Sequence, residues 1–448
     1  MNPGRINRIV ATPLLLAALV ALPACGIFRS GNGGPKTPVV GERVPVLTSD
    51  SSAEVDATLA SVPVTVPAPV QNNSWTQPGG NAAKSIGHVA LGATPTQVWT
   101  ATIAGTSNRA RLAASPVVAN GRLYVMDSEA RIHAFDAATG APVWSVVLDD
   151  ADGNTRSLFG GGVSVEGDRL YATNGVGDAA ALNIADGSVI WKVRPGGPLR
   201  EAPTLSNGNA YVITQDNQLF ALSQADGSVV WTEAGTIGVA GVFGVAAPAA
   251  AQGSVVAGFS SGDLNAYRYE NGRVLWQDEL ARTGVSSTAV ATLSDINADP
   301  MIDQGRVYAI GAGGRMVALE LTTGQRLWEL NVGGISTPWI AGEWLFVATD
   351  EGKLLCVARS TGRIRWLTQL RRYRDDRQSR GPVSWTGPVL AGGRLILASS
   401  EGQIVYADPA TGAVQATQEH RVPIQLPPVV ADNTLYLLDS DGRLSAWR

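Results

Sequence analysis

A serine in a glycine-flanked motif is the first feature of this sequence that could do chemistry. The stretch "GFSSG" at positions 258–262 matches the G-x-S-x-G pattern of a nucleophile elbow. That elbow presents its serine at a strand-to-helix turn. Here the motif lies in a predicted hairpin between two strands, where this geometry does not arise. We therefore interpret the match as a chance one.

The histidines and one glycine-rich stretch also carry no catalytic or metal-binding pattern. His88, His133 and His420 are scattered, with no pair spaced for one helix face and no cysteine partner. Neither a zinc site nor a Ser-His-Asp triad is predicted. The stretch "GAGGRM" at 311–316 lacks the last glycine of a dinucleotide-binding loop and precedes a strand, so it is a turn. The sequence predicts no catalytic residue, no metal site and no cofactor.

Cys25 is the cysteine with a recognisable chemical context. Arg5 and Arg8 precede an apolar stretch too short to span a bilayer, and "LPAC" at 22–25 resembles a bacterial lipobox. We expect residues 1–24 to be a signal peptide and Cys25 to carry lipid after cleavage. An ordinary secretory signal with an incidental cysteine is the alternative. In the lipoproteins that this segment resembles, a residue other than Asp after the cysteine, here Gly26, implies the outer membrane.

Composition excludes some classes of partner and of covalent structure. Residues 25–80 are rich in Pro, Ser, Thr and Gly, which predicts a mostly irregular tether. With Cys25 lipidated, Cys356 is the only thiol left, so no intramolecular disulfide is expected. The formal charge is −4, and removing residues 1–24 takes away two arginines to give −6. No basic field is present to bind nucleic acid.

Repeats make up the rest of the chain. Seven turns share a glycine, at Gly140, Gly187, Gly227, Gly272, Gly324, Gly362 and Gly412. Four positions later stand Trp144, Trp191, Trp231, Trp276, Trp328 and Trp366, with Ala416 as the exception. Six positions before each glycine stands a small residue, except for Tyr406 in the last repeat. The flanking stretches alternate apolar and polar residues, the pattern of β-strands.

The repeat period predicts a closed ring of small sheets. Units of four short strands, about 40–50 residues long, are typical of propeller blades. Eight strand sets can be counted, and the eighth ends at the C-terminus without its last strand. The stretch "TQVWTATIA", which contains Trp99, precedes the first set. We predict an all-β, eight-bladed β-propeller over residues 81–448, with this N-terminal strand completing the last blade.

The repeated tryptophans are predicted to be structural. A broad indole needs a shallow partner, and the small residue of each repeat leaves that room. In the last repeat the tryptophan has become Ala416 and the small residue has become Tyr406, an exchange that conserves volume. We expect Trp99 and the six other repeat tryptophans to pack blade against blade.

The same repeat resembles that of pyrroloquinoline-quinone alcohol dehydrogenases. Those enzymes carry adjacent cysteines and a calcium ion held by carboxylate and amide side chains. Here Cys356 stands alone at a packing position. The sequence therefore favours a protein that is not an enzyme. A quinone-dependent dehydrogenase and a ligand-binding or carbohydrate-binding propeller lipoprotein remain as alternatives.

The lipobox, the tether and the eight repeats together resemble the BamB family of outer-membrane protein assembly factors. A more specific likeness is "LSDINADPMIDQGRVYAIGAGGRMVALELTTGQRLW" at 293–328, which is similar to the family's Leu-x-Asp-Val-Asp-x-x-Pro stretch and the repeat after it. The resemblance implies a periplasm-facing scaffold on the outer membrane of a Gram-negative bacterium. It also implies binding to the POTRA domains of the barrel-inserting subunit BamA, with unfolded β-barrel substrates as a further partner class.

The resemblance also implies partner-binding residues. The family's Asp-x-Asp falls on Asp295 and Asn297, and its Leu-x-Leu-Arg segment matches "VAGVFGVAAP" at 239–248, near Val242 and Phe243. The arginine of that segment is absent, so an apolar contact is expected there. A turn-capping role is the alternative for Asp295. The arginine-rich loop 371–381 is either solvated or a basic contact for a partner or anionic lipid.

Overall fold

The computed structural model describes residues 53–148, 160–236, 246–280, 295–312 and 314–448. The predicted signal peptide, Cys25, Val242 and Phe243 lie outside these ranges. The described residues are almost entirely strands and turns. Their one helical turn is the 3₁₀ segment Ala57–Leu59, where the Asp56 carboxylate accepts a hydrogen bond from the Thr58 backbone N–H at 2.8 Å.

Eight four-stranded antiparallel sheets form the blades of the propeller, numbered 1 to 8 along the chain. Blade 1 contains β2 Val117–Ala119, β3 Arg122–Met126, β4 Arg131–Asp136 and β5 Pro142–Val147. Blade 2 contains β6 Gly161–Glu166, β7 Arg169–Asn174, β8 Ala179–Asn183 and β9 Val189–Val193. Blade 3 contains β10 Thr204–Ser206, β11 Asn209–Ile213, β12 Gln218–Ser223 and β13 Val229–Ala234. Blade 4 contains β14 Ala249–Ala251, β15 Ser254–Gly258, β16 Asp263–Arg268 and β17 Val274–Glu279.

The second half of the chain repeats this arrangement. Blade 5 contains β18 Met301–Asp303, β19 Arg306–Gly311, β20 Arg315–Glu320 and β21 Arg326–Leu330. Blade 6 contains β22 Trp339–Ala341, β23 Trp344–Ala348, β24 Lys353–Ala358 and β25 Ile364–Gln369. A separate hairpin, β26 Tyr373–Asp375 and β27 Arg380–Pro382, follows it. Blade 7 contains β28 Trp385–Ala391, β29 Arg394–Ser399, β30 Gln403–Ala407 and β31 Val414–Glu419.

Blade 8 combines the two ends of the propeller. Its first three strands are β32 Val429–Ala431, β33 Thr434–Leu438 and β34 Arg443–Trp447, and its fourth is the N-terminal β1 Gln97–Thr102. Strand β1 pairs antiparallel with β34, which places Trp99 opposite Ala446. The predicted eight-bladed ring and its closure are confirmed. Because the ring closes in this way, each of the eight blades has its fourth, outer strand.

The meander order gives the ring two distinct faces. The turns between first and second strands, and between third and fourth strands, all lie on one side, which we call the turn face. The turns between second and third strands and the connections between blades lie on the other side, the connection face. The first strand of each blade is the innermost and borders the central channel.

Each repeat tryptophan lies against the turn glycine of the following blade. A Cβ atom on any of these glycines would come within 2.5–2.8 Å of the indole. The glycine thus has a positive φ, as hairpin turns require, and also leaves room for the neighbouring ring. The pairs are Trp99 with Gly140, Trp144 with Gly187, Trp191 with Gly227, Trp231 with Gly272, Trp276 with Gly324, Trp328 with Gly362, and Trp366 with Gly412.

A hydrogen bond accompanies each of these contacts. The indole Nε1–H donates, at 2.7–3.1 Å, to the backbone carbonyl three residues before the glycine. Within its own blade, the tryptophan stands opposite the small residue of the repeat, as Trp144 does opposite Ala134. The small residue therefore makes room on the neighbouring strand, and the glycine makes room on the neighbouring blade.

Blade 7 departs from this pattern because blade 8 has no turn between its third and fourth strands. The fourth strand of blade 8 comes from the other end of the propeller, so no turn glycine faces Ala416. Ala416 stands opposite Tyr406 on the neighbouring strand. The large side chain has thus moved from position 416 to position 406 at the junction between blades 7 and 8, where no turn glycine contacts an indole.

Residues 53–92 contact the propeller before β1 begins, and the two ends of this segment lie on the turn face. Val55 forms a parallel bridge with Ile364, at the start of the outer strand of blade 6. Further along, Pro67 lies beside Gly342 and Leu91 lies beside Gly392, both in turns on this face. The tether predicted for residues 25–80 therefore includes residues that contact the propeller, from Val55 onward.

Residues 72–89, which we call the inner ring, pass once around the channel and touch the inner strand of every blade. Inner strands pair with one neighbour only, so their channel-side N–H and C=O groups need other partners. The contacts are Asn72 with Val430 (2.7 Å), Trp75 with Val118 (2.7 and 2.8 Å), Thr76 with Val165 (2.8 Å), Gln77 with Leu205 (2.8 and 3.0 Å), Ala82 with Ala250 (2.9 Å), Ala83 with Ile302 (2.9 Å), Gly87 with Trp339 (2.8 Å) and Val89 with Leu390 (3.1 Å).

Candidate interaction face and central cavity

Hydrogen bonds between neighbouring blades stabilise the connection face where the inner strands begin. Side chains in or just before the inner strands donate hydrogen bonds to the backbone of a neighbouring blade, or accept them from it. The bonds are Ser164 Oγ to Pro203 O (2.6 Å), Thr204 Oγ1 to Pro248 O (2.7 Å), Ala247 N to Asp299 Oδ1 (2.8 Å), Asp299 N to Thr337 Oγ1 (3.0 Å), Ser336 Oγ to Gly387 O (2.6 Å) and Ser115 Oγ to Pro427 O (2.9 Å).

Asp295 and Asn297 lie in the connection from blade 4 to blade 5. Asp295 is only 1% exposed, and its backbone carbonyl accepts from Ala312 N at 2.9 Å. Between them, Ile296 packs next to Gly258 of blade 4. Asn297 instead lines a cavity in the central channel. The two predicted partner-binding residues therefore share one connection, with one side chain buried and the other directed to the channel.

Val242 and Phe243 cannot be placed in the same way because they fall outside the described residues. Their sequence positions lie between β13 and β14, in a blade-to-blade connection like the one that carries Asp295. Their role stays a prediction.

The arginine-rich loop also belongs to the connection face. It forms the hairpin β26–β27, and Trp385 Nε1 donates to the Arg371 carbonyl at 2.9 Å beneath it. Arg374 makes two hydrogen bonds to the Glu401 carboxylate, at 2.8 and 3.0 Å. The Arg372 guanidinium lies 5.2 Å from the Tyr373 ring centroid. The hairpin is thus ordered by its own contacts, while most of its arginine side chains are exposed.

A cavity of about 300 Å³ occupies the connection-face end of the channel. The inner ring supplies part of its lining through Trp75 and Lys84, and the blades supply Trp339 and Trp385. Trp75 and Trp339 are stacked, with their ring centroids 5.8 Å apart. The inner ring therefore narrows the channel, and the space left on the connection side is a cup with aromatic walls.

Three charged residues meet at this cup, and sequence reasoning did not identify them. The Lys84 ammonium is fully buried and lies 4.0 Å from Asp299 Oδ2 and 3.3 Å from Thr204 Oγ1. Burial lowers the pKa of Lys84 and raises the pKa of Asp299. The pKa of Glu201, which lines the same cup, is well above its ordinary value, because of burial first and the nearby Asp299 carboxylate second.

The serine motif and the histidines have structural roles. The "GFSSG" stretch ends β15 and forms the turn before β16, as expected for a hairpin. His133 contacts Asp127 at 2.8 Å and His420 contacts Asp439 at 2.9 Å, at separate blades. Within the described ranges, no group of three or more His, Cys, Asp or Glu side chains could hold a metal ion. Nor does any helix there have the length and apolar character needed to cross a membrane.

Comparison with known proteins decides the family. The family model described as outer membrane protein assembly factor BamB matches residues 85–155, 146–368 and 373–447. The chain belongs to the BamB family. The Escherichia coli (strain K12) BamB is 28% identical over 353 residues, which cover 78% of this chain and 88% of that protein. The crystal structure of BamB from Moraxella catarrhalis aligns with a TM-score of 0.67 and 18% identity, covering 79% of this chain and 99% of that one.

A dehydrogenase shares the fold. A europium-containing methanol dehydrogenase aligns with a TM-score of 0.65 and 13% identity, covering 82% of this chain and 89% of that enzyme. This likeness shows the propeller architecture alone. The BamB family match begins at residue 85, so Trp75 and Gln77 of the inner ring lie before the matched region.

Proposed function

We propose that this BamB-family chain is a non-enzymatic scaffold that faces the periplasm and is held on the outer membrane by lipid at Cys25. Its partners are a BamA-like barrel-inserting subunit, bound through the POTRA domains, and unfolded β-barrel substrates. The observation that carries the proposal is the family match, which spans nearly all of the propeller from residue 85 to residue 447. The lipobox at 22–25 supports the anchor.

The geometry supports the connection face as the partner-binding surface. Strand faces are used for blade-to-blade packing, so propellers bind partners through the loops at the blade ends. Residues 53–92 lie on the turn face and inside the channel, and they leave the outer part of the connection face uncovered. We assign Val242, Phe243, Asp295 and Asn297 to the partner-binding region of this face, with Asp295 buried in its connection, Asn297 on the channel side and the Arg371–Arg380 hairpin beside them.

A quinone-dependent dehydrogenase is the alternative that the shared fold raises. The relatives that match this chain are named as assembly factors. Cys356 stands alone in β24, and burial raises the pKa of its thiol, which makes it unreactive. A scaffold therefore explains the chain better, and a quinone absorbance band in the purified protein would contradict it.

Co-purification with the barrel-inserting subunit tests the partner surface. The double substitution Phe243→Ala with Asp295→Ala should weaken co-purification from detergent-solubilised outer membrane, and it should also lower Tm because the Asp295 side chain is buried. Phe243→Ala with Asp295→Asn keeps the volume of that buried side chain, so it should weaken co-purification while circular dichroism still shows the folded protein. Asp226→Ala, in an exposed turn of the opposite face, is the control. Normal co-purification of a folded double variant would remove these residues from the surface.

A further inference from the structure

The charges in the cup are unequal in number. Two carboxyl groups, Glu201 and Asp299, face one ammonium group, Lys84. Lys84 is within 4.0 Å of Asp299, whereas Glu201 makes no side-chain hydrogen bond or ion pair at that distance with any described residue. Burial raises the pKa of the Glu201 carboxyl group, so a cationic ligand beside it would favour the ionised carboxylate, whereas an anionic ligand would oppose it.

Two further polar atoms in the cup have no hydrogen-bond partner in the described part of the chain. They are Thr386 Oγ1 and Asn297 Nδ2, and both residues line the cavity. Thr386 is 8% exposed, so its hydroxyl is removed from bulk solvent. Buried polar groups are normally hydrogen-bonded, and exceptions call for an explanation. A hydroxyl and an amide N–H on the cup wall could bond to oxygen or nitrogen atoms of a ligand.

The walls suit a cation with apolar surface. Indole faces attract ammonium and guanidinium groups, and three tryptophans, Trp75, Trp339 and Trp385, line the cup. Its volume of about 300 Å³ lies at the lower end of the range for small-ligand sites. That volume accommodates one side chain or one small organic molecule, and the cup lies at the connection-face end of the channel.

We propose that the cup binds an organic cation, with its ammonium or guanidinium group against Glu201 and its apolar part against the tryptophans. The cation comes from one of two sources, a free small amine or a lysine or arginine side chain that a bound protein inserts. The Asn297 amide donates to an oxygen of the same ligand. The site itself does not depend on the assembly role proposed above, whereas the choice between its two sources rests on that role.

Titration followed by tryptophan fluorescence tests the site in the full-length protein. The probes are Nα-acetyl-lysine methylamide and its uncharged analogue, Nα-acetyl-norleucine methylamide. We expect the lysine probe to bind at least 10-fold more tightly than the norleucine probe. Glu201→Gln should weaken binding of the lysine probe at least 10-fold. Glu166→Gln, at the exposed end of β6 away from the cup, should leave it unchanged.

Co-purification of Glu201→Gln with the barrel-inserting subunit separates the two sources. If the Glu201→Gln protein binds neither the lysine probe nor the barrel-inserting subunit, the cation is a side chain that the bound protein inserts. If it fails to bind the probe but still co-purifies with the subunit, the cation is a free amine. Equal binding of the two probes by the wild-type protein, or full probe binding by a folded Glu201→Gln variant, would overturn the proposal.

Discussion

A Cβ atom added to Gly227 would lie 2.7 Å from the Trp191 indole, so these residues of adjacent blades share one contact. We predict that Gly227→Ala destabilises the propeller in two ways. It places alanine at a φ of +76°, and it forces the methyl group into the indole. The strained φ costs about 1–2 kcal/mol, and overpacking adds about 1–3 kcal/mol. Denaturant unfolding measures the sum.

Gly208 provides the matched control for this substitution. It has the same φ of +76°, yet a Cβ atom there would meet no other atom within 4 Å. Gly208→Ala should therefore lower the free energy of unfolding only by the cost of the strained backbone φ. Equal destabilisation by the two substitutions would show that the contact with Trp191 does not matter.

Trp276→Ala should also lower stability substantially. The side chain is 7% exposed, and its Nε1 donates to the Leu321 carbonyl of the next blade at 2.7 Å. Truncation of a buried tryptophan costs about 3–5 kcal/mol because the cavity is only partly refilled. Thermal unfolding checks this, and an unchanged Tm would contradict a structural role for the repeat tryptophans.

The propeller could be predicted from the sequence because each blade repeats the same local chemistry. The turn glycine, the tryptophan four residues later and the strand alternation are short-range signals, and Trp99 before the first repeat indicated the closing strand. The second task of the glycine, to accept the indole of the preceding blade, was missed because that contact joins residues about one repeat apart. The absence of a turn in blade 8 explains Ala416, which sequence reasoning treated only as a volume exchange.

The inner ring and the cup could not be predicted in this way. Residues 72–89 bind mainly through backbone groups, which leave no periodic pattern of side chains. Lys84, Glu201 and Asp299 are distant in sequence and meet only because the ring closes around the channel. One weak signal was present: Asp299 precedes a proline at a strand start where other connections carry small residues such as Ala202 and Ala247.

Gln77→Ala should reveal the contribution of the inner ring to stability. The Gln77 amide makes two hydrogen bonds to the backbone of Leu205, at 2.8 and 3.0 Å, and the side chain is 5% exposed. Each backbone group left unpaired in a buried position costs about 1–3 kcal/mol. Gln71→Ala is the control, because Gln71 is exposed and its single bond is 3.5 Å long. Equal free energies of unfolding for the two variants would show that the inner ring contributes little.

Cys25→Ala should release the protein from the outer membrane if the proposed lipid is its anchor. The part of the chain that the structure describes contains no helix long and apolar enough to cross a membrane. Membrane fractionation before and after a high-salt wash measures the distribution. Cys356→Ala removes the other cysteine, which is buried in β24, and should leave the protein membrane-bound. Retention of the Cys25→Ala protein after the wash would exclude the lipid anchor.

Glu201 should make stability fall as the pH rises. Its pKa is raised in the folded protein, so between the unfolded and folded pKa values the folded state binds more protons than the unfolded state. The free energy of unfolding must then decrease with increasing pH across that window, starting near the ordinary glutamate pKa of about 4.3. Glutamine cannot ionise, so Glu201→Gln should gain stability relative to wild type as the pH is raised from 4 to 8. Denaturant unfolding at several pH values in that range measures the difference, with Glu166→Gln as the exposed control. A difference between Glu201→Gln and wild type that stays constant with pH would show that the cup does not hold Glu201 protonated.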